Sequence, residues 1–255
     1  MAQDVDPVIE FRDVSYSLPN GRTILHNLAL DTRGGEILVL LGRSGSGKTT
    51  ALKLVNRLLE ISAGEIRVEG RPAREWDVIK LRRHIGYAIQ EVGLFPHFTI
   101  ERNIGLVPTL EEWPKERIGT RVEELLRLVG LNPEIASRYP HQLSGGQRQR
   151  VGVARALAAD PPILLMDEPF GALDPLTRSD LQREFLSLQQ KLQKTVVFVT
   201  HDLHEAMLLG TRIALLEEGK LVAINCPDEF LKSPEPLIAK YVQAFGSFEQ
   251  VRGTR

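Results

Sequence analysis

Gly42-Arg43-Ser44-Gly45-Ser46-Gly47-Lys48-Thr49 is the stretch that decides the fold of this chain. It matches the template of a phosphate-binding loop, in which a glycine and four variable residues precede Gly-Lys-Ser/Thr. The glycines let successive backbone N–H groups point at an anion, and a helix starting near Gly47 adds the positive end of its dipole. A flexible glycine-serine linker is the alternative interpretation of such a stretch.

The sequence on either side of the loop argues against a linker. Residues 36–41 form a nearly continuous apolar run, typical of a strand buried on both faces of a parallel sheet. Residues 49–59 have the apolar spacing of a helix. Because phosphate binding needs a strand, a loop and a helix in this order, we predict that Lys48 reaches the β- and γ-phosphates and that the Thr49 hydroxyl ligates Mg²⁺.

The rest of the chain alternates between strand and helix patterns. An N-terminal hairpin is predicted over residues 8–31, around the turn Asn20-Gly21. The other predicted elements are strands at residues 64–70, 85–90, 163–166 and 196–199, helices at residues 78–83, 116–129, 147–158 and 175–192, and a C-terminal hairpin at residues 213–224 around Glu218-Gly219. We predict an α/β fold: a P-loop NTPase core with a parallel sheet, an N-terminal antiparallel β subdomain and an inserted α-helical subdomain.

We predict that this fold is one domain over residues 1–255. The nucleotide-binding core and its β subdomain occupy about residues 1–90 and 147–225. Strand signals vanish between them, so residues 91–146 are the predicted helical subdomain, and residues 226–255 form a short helical tail.

Composition excludes several classes of protein. The 255 residues are 42% hydrophobic and 25% charged, an ordinary globular composition, and the net charge of −1 gives no strong field for nucleic acid. The only cysteine, Cys226, cannot form an intramolecular disulfide, which favours a reducing compartment. No apolar run approaches the roughly 18 residues that a bilayer crossing needs. We therefore expect a chain that is neither secreted nor membrane-spanning by itself and that binds no nucleic acid.

A pair of carboxylates follows another predicted buried strand. Asp167 and Glu168 come directly after residues 163–166, where the end of a parallel strand would place them beside a nucleotide. We interpret Asp167 as a magnesium-associated residue and Glu168 as the group that polarises an attacking water. Taken alone, the pair could equally cap the turn before Pro169.

A second potential anion site opens the helix predicted near residue 147. Leu143-Ser144-Gly145-Gly146-Gln147 places glycines and a hydroxyl at the positive end of a helix dipole, although a serine N-cap is the simpler account. With this pentapeptide the chain resembles the ATP-binding cassette (ABC) family, of which the string is the signature. The resemblance extends from Val8 to about Gly246.

The resemblance implies roles for residues that would mean little alone. It implies that Tyr16 stacks on adenine, that Gln90 contacts magnesium and water, that Asp174 communicates across a dimer and that His201 contacts the γ-phosphate. The alternatives are a half-buried strand tyrosine for Tyr16, a helix N-cap for Asp174 and a structural histidine for His201.

The implied site comprises three sets of residues. The ATP-binding set is Tyr16, Gly42, Arg43, Ser44, Gly45, Ser46, Gly47, Lys48, Thr49, Thr50, Gln90, Ser144, Gly145, Gly146, Gln147, Asp174 and His201. The catalytic set is Lys48, Glu168 and His201, and the magnesium set is Thr49, Gln90 and Asp167. ATP and Mg²⁺ are the implied cofactors.

The resemblance also implies partners and a location. The chain would form a head-to-tail homodimer and dock on integral membrane permease subunits near Gln90 to Ile100, at the cytoplasmic face of the inner or plasma membrane, with a substrate-binding protein acting indirectly. Leu94, Phe95 and Phe98 would line the docking groove, unless they pack in the core of the helical block.

Three stretches resemble the importer ATPases for quaternary amines such as glycine betaine, choline, carnitine or proline. They are residues 53–58, 85–90 and 93–100. Another solute such as a polar amino acid, an exporter, and a soluble non-transport ABC protein remain alternatives. Many such importer subunits continue into C-terminal regulatory domains, and because this chain stops at Arg255 we expect no osmotic gating through them.

Overall fold

The computed structural model describes residues 7–90, 92–171 and 173–245. Predictions for residues 1–6, for residue 91 at the start of the helical block, for Ala172, and for residues 246–255 at the end of the tail lie outside the described residues. The chain divides into two compact units. The first unit comprises residues 1–76 and 195–255, and the second unit comprises residues 77–194.

The elements alternate between strand and helix as predicted. The strands are β1 (Ile9–Ser17), β2 (Thr23–Thr32), β3 (Ile37–Leu41), β4 (Ala63–Val68), β5 (Arg71–Pro72), β6 (Ile85–Ala88), β7 (Ile163–Asp167), β8 (Thr195–Thr200), β9 (Arg212–Glu217) and β10 (Lys220–Asn225). The helices are α1 (Lys48–Val55), α2 (Val78–His84), α3 (Ile100–Ile104), α4 (Leu106–Leu110), α5 (Lys115–Leu128), α6 (Gly145–Leu157), α7 (Pro175–Leu192), α8 (Leu203–Leu209), α9 (Pro227–Leu231) and α10 (Pro236–Phe245). Among the described helices, none combines the length and apolar composition that a membrane crossing requires.

Two sheets organise the first unit. The antiparallel sheet has the order β2-β1-β4-β5 and contains the predicted N-terminal hairpin. In the second sheet, β3 pairs in parallel with β8 and β9, and β10 closes the edge against β9 as an antiparallel strand. All five residues of β3 are buried, so the apolar run before the phosphate loop is a central strand, as predicted.

The second unit combines two parallel strands with helices. β6 pairs with β7, which is buried throughout, and α6 packs against β6, α3 and α5. The helical block lies here, and α5 turns Val122, Leu125 and Leu126 into the core, as its periodicity predicts. The predicted α/β class is confirmed by these parallel strands and their helices.

The helix after the phosphate loop is shorter than predicted. α1 ends at Val55, four residues before the predicted end, because Arg57 adopts a left-handed conformation with φ of 54°. The Arg57 guanidinium donates to the backbone carbonyls of Arg74 and Trp76, and these hydrogen bonds stabilise the turn. Leu58, assigned by periodicity to the buried face, is 47% exposed as a result.

Candidate nucleotide-binding site

The phosphate loop has the conformation that anion binding needs. It leaves β3 at Leu41 and enters α1 at Lys48, and Gly45 and Gly47 hold positive φ values of 82° and 97°. Such angles are accessible to glycine at no steric cost, and they rotate successive N–H groups to one side of the loop. A side chain at Gly45 would meet nothing within 4 Å, so the loop is open there.

Lys48 and Ser46 place polar groups in this loop. The Lys48 ammonium is buried and donates to the carbonyl oxygens of Gly42 and Arg43, both at 2.7 Å. The Ser46 hydroxyl is buried without a hydrogen-bond partner among the described residues. An unsatisfied buried hydroxyl is costly, and a phosphate oxygen would satisfy it. The residues present therefore fit a phosphate group.

The other predicted site residues of the first unit lie in different surroundings. Thr49 and Thr50 are half-buried in the first turn of α1, and His201 is exposed at the bend between β8 and α8. Tyr16 is only 9% exposed and lies in β1 opposite Leu25. Because stacking on adenine requires an accessible ring face, this burial favours the alternative interpretation of Tyr16 as a strand residue of the core.

The second unit holds the predicted carboxylates and the glutamine. Asp167 is the last residue of β7 and is 4% exposed. Glu168 follows with φ of 45°, an uncommon conformation for a residue other than glycine that is often found at functional sites. The structure brings Gln90 to Glu168, with the amide nitrogen 3.3 Å from the carboxylate Oε2. Two residues that lie 78 positions apart in sequence are thus neighbours in the second unit.

Tyr87 is a residue of this unit that the sequence did not single out. It lies in β6, and its hydroxyl is buried beside the Asp167 carboxylate of the neighbouring β7. Burial, together with the charge of Asp167, raises the pKa of Tyr87 well above its usual value. The sequence predicted both strands but not their pairing, which is what brings Tyr87 close to Asp167.

The signature pentapeptide forms a helix start. Ser144 is the N-cap of α6: its hydroxyl accepts from the Gln147 N–H at 3.2 Å, and the Gln147 side chain accepts from the Ser144 N–H at 2.9 Å. The simple N-cap account of this motif is therefore confirmed, as a capping box. A methyl group added at Gly145 would meet no atom closer than 3.9 Å, so the start of the helix is accessible.

Asp174 has the local role that the sequence offered as an alternative. It is the N-cap of α7, and its carboxylate accepts from the Thr177 N–H at 3.0 Å, followed by Pro175 in the first turn. Hydrogen bonds from Thr177 hold the pKa of Asp174 below its usual value. The cap accounts for the residue locally and leaves its implied role across a dimer a prediction.

The segment after Gln90 presents aromatic side chains to solvent. Phe95 is 40% exposed, and its ring lies 5.2 Å from that of the half-buried Phe98. The loop is shaped by Asn103, whose buried amide accepts from the Phe95 N–H at 2.8 Å and donates to the Phe98 carbonyl at 3.2 Å. Phe95 is thus a surface residue, which agrees with the docking interpretation better than with core packing.

The predicted magnesium residues offer hard oxygen ligands. Thr49 of the first unit carries a hydroxyl, and Gln90 and Asp167 of the second unit carry an amide oxygen and a carboxylate, which are ligand types that Mg²⁺ prefers; their joint role stays a prediction. Within the described ranges, no group of three or more histidine, cysteine, aspartate or glutamate side chains is arranged to hold a metal ion.

The buried parallel strand, the glycine-rich loop, the strand-end carboxylates and the capped signature define a P-loop ATP-binding cassette. The chain belongs to the ABC transporter family, whose family model matches residues 25–171.

Among curated proteins, the chain is 52% identical over 227 residues to the glycine betaine/carnitine/choline transport ATP-binding protein OpuCA of Bacillus subtilis, covering 89% of this chain and 60% of that protein. It is 50% identical to the glycine betaine uptake system ATP-binding protein YehX of Escherichia coli, covering 89% and 73%. The chain spans about 60% of the length of the first relatives it matches.

Solved structures of ABC cassettes share the fold. The dimeric cassette MJ0796, in a post-hydrolysis state bound to ADP and Pi, superposes with a TM-score of 0.80 at 33% identity, covering 86% of this chain and 98% of that one. The cbiO1 protein of Clostridium perfringens, part of the ABC transporter complex cbiONQ, gives 0.81 at 27% identity, covering 92% and 94%.

Proposed function

We propose that this chain is the ATP-hydrolysing subunit of a membrane importer for a small polar solute, a quaternary amine such as glycine betaine, choline or carnitine, or the secondary amine proline. The observation that carries the ATPase part is the phosphate loop, in which Gly45 and Gly47 adopt left-handed angles around the buried Lys48 and the unsatisfied Ser46 hydroxyl. The relatives named as transport ATP-binding proteins support the transport part.

In the proposed reaction, water attacks the γ-phosphorus of ATP and the bond to the β-γ bridging oxygen breaks, releasing ADP and phosphate. The loop N–H groups and Lys48 hold the phosphates and stabilise the charge that develops on them. Lys48 already lies folded over the loop, donating to Gly42 and Arg43, and it exchanges these carbonyls for phosphate oxygens when ATP binds.

Glu168 is the proposed acceptor of the proton of the attacking water. Its carboxylate is oriented by the Gln90 amide, so a movement of Gln90 would also change the position of the base. His201, exposed after β8, is the proposed contact to the γ-phosphate. Thr49, Gln90 and Asp167 are the residues that would hold Mg²⁺, which would supply positive charge to balance that of the phosphates.

The proposed working unit is a homodimer. The accessible start of α6, with Ser144 and Gly146, would close over the ATP of a second copy and add N–H donors to its γ-phosphate. The dimeric state of MJ0796 supports this proposal. Docking of integral membrane subunits near Gln90 to Ile100, supported by the exposed Phe95, would place the chain at the cytoplasmic face of the membrane, where it acts with a substrate-binding protein.

Uptake of labelled glycine betaine tests the whole proposal. Cells carrying the wild-type chain, or the chain with Glu168→Gln, are compared with choline and a polar amino acid as competitors. We expect uptake with the wild type, loss of uptake with the mutant and competition by choline alone. Competition by the amino acid would overturn the quaternary-amine assignment. If Glu168→Gln left the rate of uptake unchanged, the proposal that ATP hydrolysis by this chain drives the uptake would be overturned.

A further inference from the structure

The phosphate loop rests on the turn between β9 and β10, which the sequence predicted without assigning it a role. The Gly219 N–H donates to the carbonyl of Ser46 at 3.2 Å, and the Gly219 carbonyl accepts from the N–H of His26 at 2.9 Å. Gly219 therefore bridges the loop and β2. Residues about 170 positions apart in sequence meet at this point.

The contact leaves no room for a side chain. Gly219 has φ of 76°, and a methyl group on it would overlap the Ile24 carbonyl of β2. Gly42 at the start of the loop is equally close to β9, because a methyl group there would overlap the Leu216 carbonyl. At the other end, a methyl on Gly47 would come within 2.5 Å of the Leu25 side chain. The loop thus packs closely between β2 and the end of β9, where its glycines leave no space for side chains.

The helical tail reaches the same loop. Tyr241 of α10 is 7% exposed, and its hydroxyl lies beside Arg43 of the loop and Glu217 at the end of β9. Burial and the charge of Glu217 raise the pKa of Tyr241 above its usual value, while Arg43 opposes the shift. Tyr241 is thus a buried residue of the tail that interacts with Arg43 in the loop and with Glu217 in β9.

These contacts bear on how tightly the loop can bind an anion. A loop of glycines and serines has many conformations, and fixing each residue in one of them costs conformational entropy. A loop that is already fixed in its binding conformation does not lose this entropy when the ligand arrives, so its affinity is higher.

We propose that residues 216–219, which are the end of β9 and the β9–β10 turn, hold the phosphate loop in its anion-binding conformation together with Tyr241. We call these residues the C-terminal brace. Gly219 and Tyr241 are then positioning residues for nucleotide binding, although neither belongs to the loop. The proposal rests on the proposed function of the loop as the ATP site.

A pair of glycine variants tests the brace. Gly219→Ala and Gly70→Ala replace glycines with nearly equal φ values, 76° and 74°, but a methyl on Gly70 meets nothing within 4 Å. Both variants carry similar backbone strain. Only in Gly219→Ala does the new methyl group clash with the Ile24 carbonyl, so only this variant forces the β9–β10 turn away from β2 and the loop. ATP affinity is measured by calorimetry on the full chain. We expect at least about tenfold weaker binding for Gly219→Ala and less than about twofold for Gly70→Ala.

Amide hydrogen exchange and kinetics separate positioning from simple loss of stability. Without nucleotide, exchange should accelerate in a peptide spanning residues 42–49 in Gly219→Ala and remain unchanged in β1. The KM for ATP should rise while kcat at saturating ATP changes less than about twofold, because the loaded loop is the same. Tyr241→Phe, which keeps the ring, should give the same pattern with a smaller loss of ATP affinity, about threefold. If Gly219→Ala does not fold, this variant tests the brace in its place.

The outcomes distinguish the brace from the proposed function. Wild-type chain that binds no ATP, or Lys48→Ala that binds ATP as the wild type does, would remove the ATP site itself. If the wild type binds, Lys48→Ala loses binding, and Gly219→Ala and Tyr241→Phe match Gly70→Ala, the brace alone is overturned.

Discussion

At the scale of single residues, Glu168 combines an uncommon backbone angle with a directed hydrogen bond. Its φ of 45° turns the side chain away from the line of β7, where Asp167 ends the buried strand. Such a conformation persists only where the surrounding structure holds it, and here Gln90 contacts the carboxylate. The two consecutive acids therefore point in different directions and can serve different roles.

Glu168→Gln should leave ATP binding within about threefold of the wild type and reduce phosphate release by at least about 100-fold, because the amide cannot accept the proton of water. Calorimetry and steady-state phosphate release measure the two quantities. Glu123→Gln, on the exposed face of α5, is the control and should leave both unchanged. Wild-type turnover in Glu168→Gln would remove this residue from the role of base.

Tyr87→Phe should raise the Mg²⁺ concentration needed for ATP binding by about tenfold, because Asp167 loses the hydroxyl beside it. Titration of ATP binding with Mg²⁺ measures the change without relying on turnover. Tyr139→Phe, at a 41% exposed position, is the matched control. An unchanged Mg²⁺ dependence in Tyr87→Phe would show that the hydroxyl does not position Asp167.

Single residues also mark the limit of prediction from sequence. Lys48 and Glu168 belong to strings whose chemistry is local, so they could be assigned before the fold was known. Tyr87 and Gly219 act through neighbours far along the chain, and no local pattern records such contacts. The burial of Tyr16 could not be predicted either, because a strand pattern does not distinguish a buried tyrosine from an accessible one, and its implied contact with adenine stays a prediction.

At the scale of elements, α6 is joined to the segment that follows Gln90. The Arg155 guanidinium donates to the carbonyls of Gly93 and Val92 at 2.7 and 2.6 Å. One turn earlier, a methyl on Gly152 would come within 2.8 Å of the Val92 side chain, so the contact is close-packed. The signature helix and the segment leading to the exposed Phe95 are therefore linked by direct contacts.

Arg155→Met should destabilise the chain by about 2 kcal/mol, because the methionine fills the space but leaves two carbonyls without their charged donor. Urea denaturation measures the loss, and limited proteolysis should show earlier cleavage near residues 92–98. Arg127→Met removes an arginine of an exposed ion pair with Glu123 and should cost less than about 0.5 kcal/mol. Equal stabilities of the two variants would contradict the contact.

Elements with strong periodicity could be predicted, whereas short ones could not. α7 spans Pro175–Leu192, the predicted range, because a proline in the first turn and an N-cap mark its start. The five-residue helices α3 and α4 contain too few residues for a periodic pattern to show. α1 was predicted too long because the left-handed Arg57 is stabilised by carbonyls of residues 74 and 76, not by its own sequence neighbours.

At the scale of the whole molecule, a charge network connects the two sheets of the first unit. Arg212 of β9 contacts both carboxylate oxygens of Asp31 in β2, at 3.2 and 3.0 Å, and the Glu36 carboxylate at 3.2 Å. The Arg212 side chain is 16% exposed and that of Glu36 is 9% exposed. Loss of one member leaves buried charge without its partner.

The pKa shifts in this network give opposite pH dependences. The hydrogen bond from Arg212 lowers the pKa of Asp31, so its contribution is complete above the usual aspartate value of about 3.9 and is lost as the pH falls towards the lowered value. Burial raises the pKa of Glu36, so its ionised form lowers stability as the pH rises through the range between its usual and raised values.

Asp31→Asn should reduce the free energy of unfolding at pH 7 by about 0.5–1 kcal/mol, because the Asp31 side chain is 37% exposed and solvent screens part of the pair, and the difference from wild type should shrink as the pH falls below about 3.9. Urea denaturation at pH 7, 5, 4 and 3 measures it. Asp180→Asn, in an exposed ion pair with Arg183, is the control. A difference that grows towards low pH would contradict the assigned direction of the Asp31 shift.

The class of the whole molecule could be predicted because its phosphate loop, strand-end acids and signature are short strings in a fixed order. The network of Asp31, Glu36 and Arg212 could not, since it joins residues whose pairing depends on the register of β3 with β9. The same holds for the C-terminal brace, which forms only when the last hairpin returns to the loop.

The central claim is that residues 42–49 bind the phosphates of ATP, and the affinity of Lys48→Ala for ATP tests it most directly. Calorimetry with MgATP is carried out on the wild-type chain and on Lys48→Ala, with Lys53→Ala in the same helix as the control. We expect that the wild type and Lys53→Ala bind alike and that Lys48→Ala binds at least about tenfold more weakly, because it lacks the ammonium proposed to contact the β- and γ-phosphates. Unchanged affinity in Lys48→Ala would contradict it.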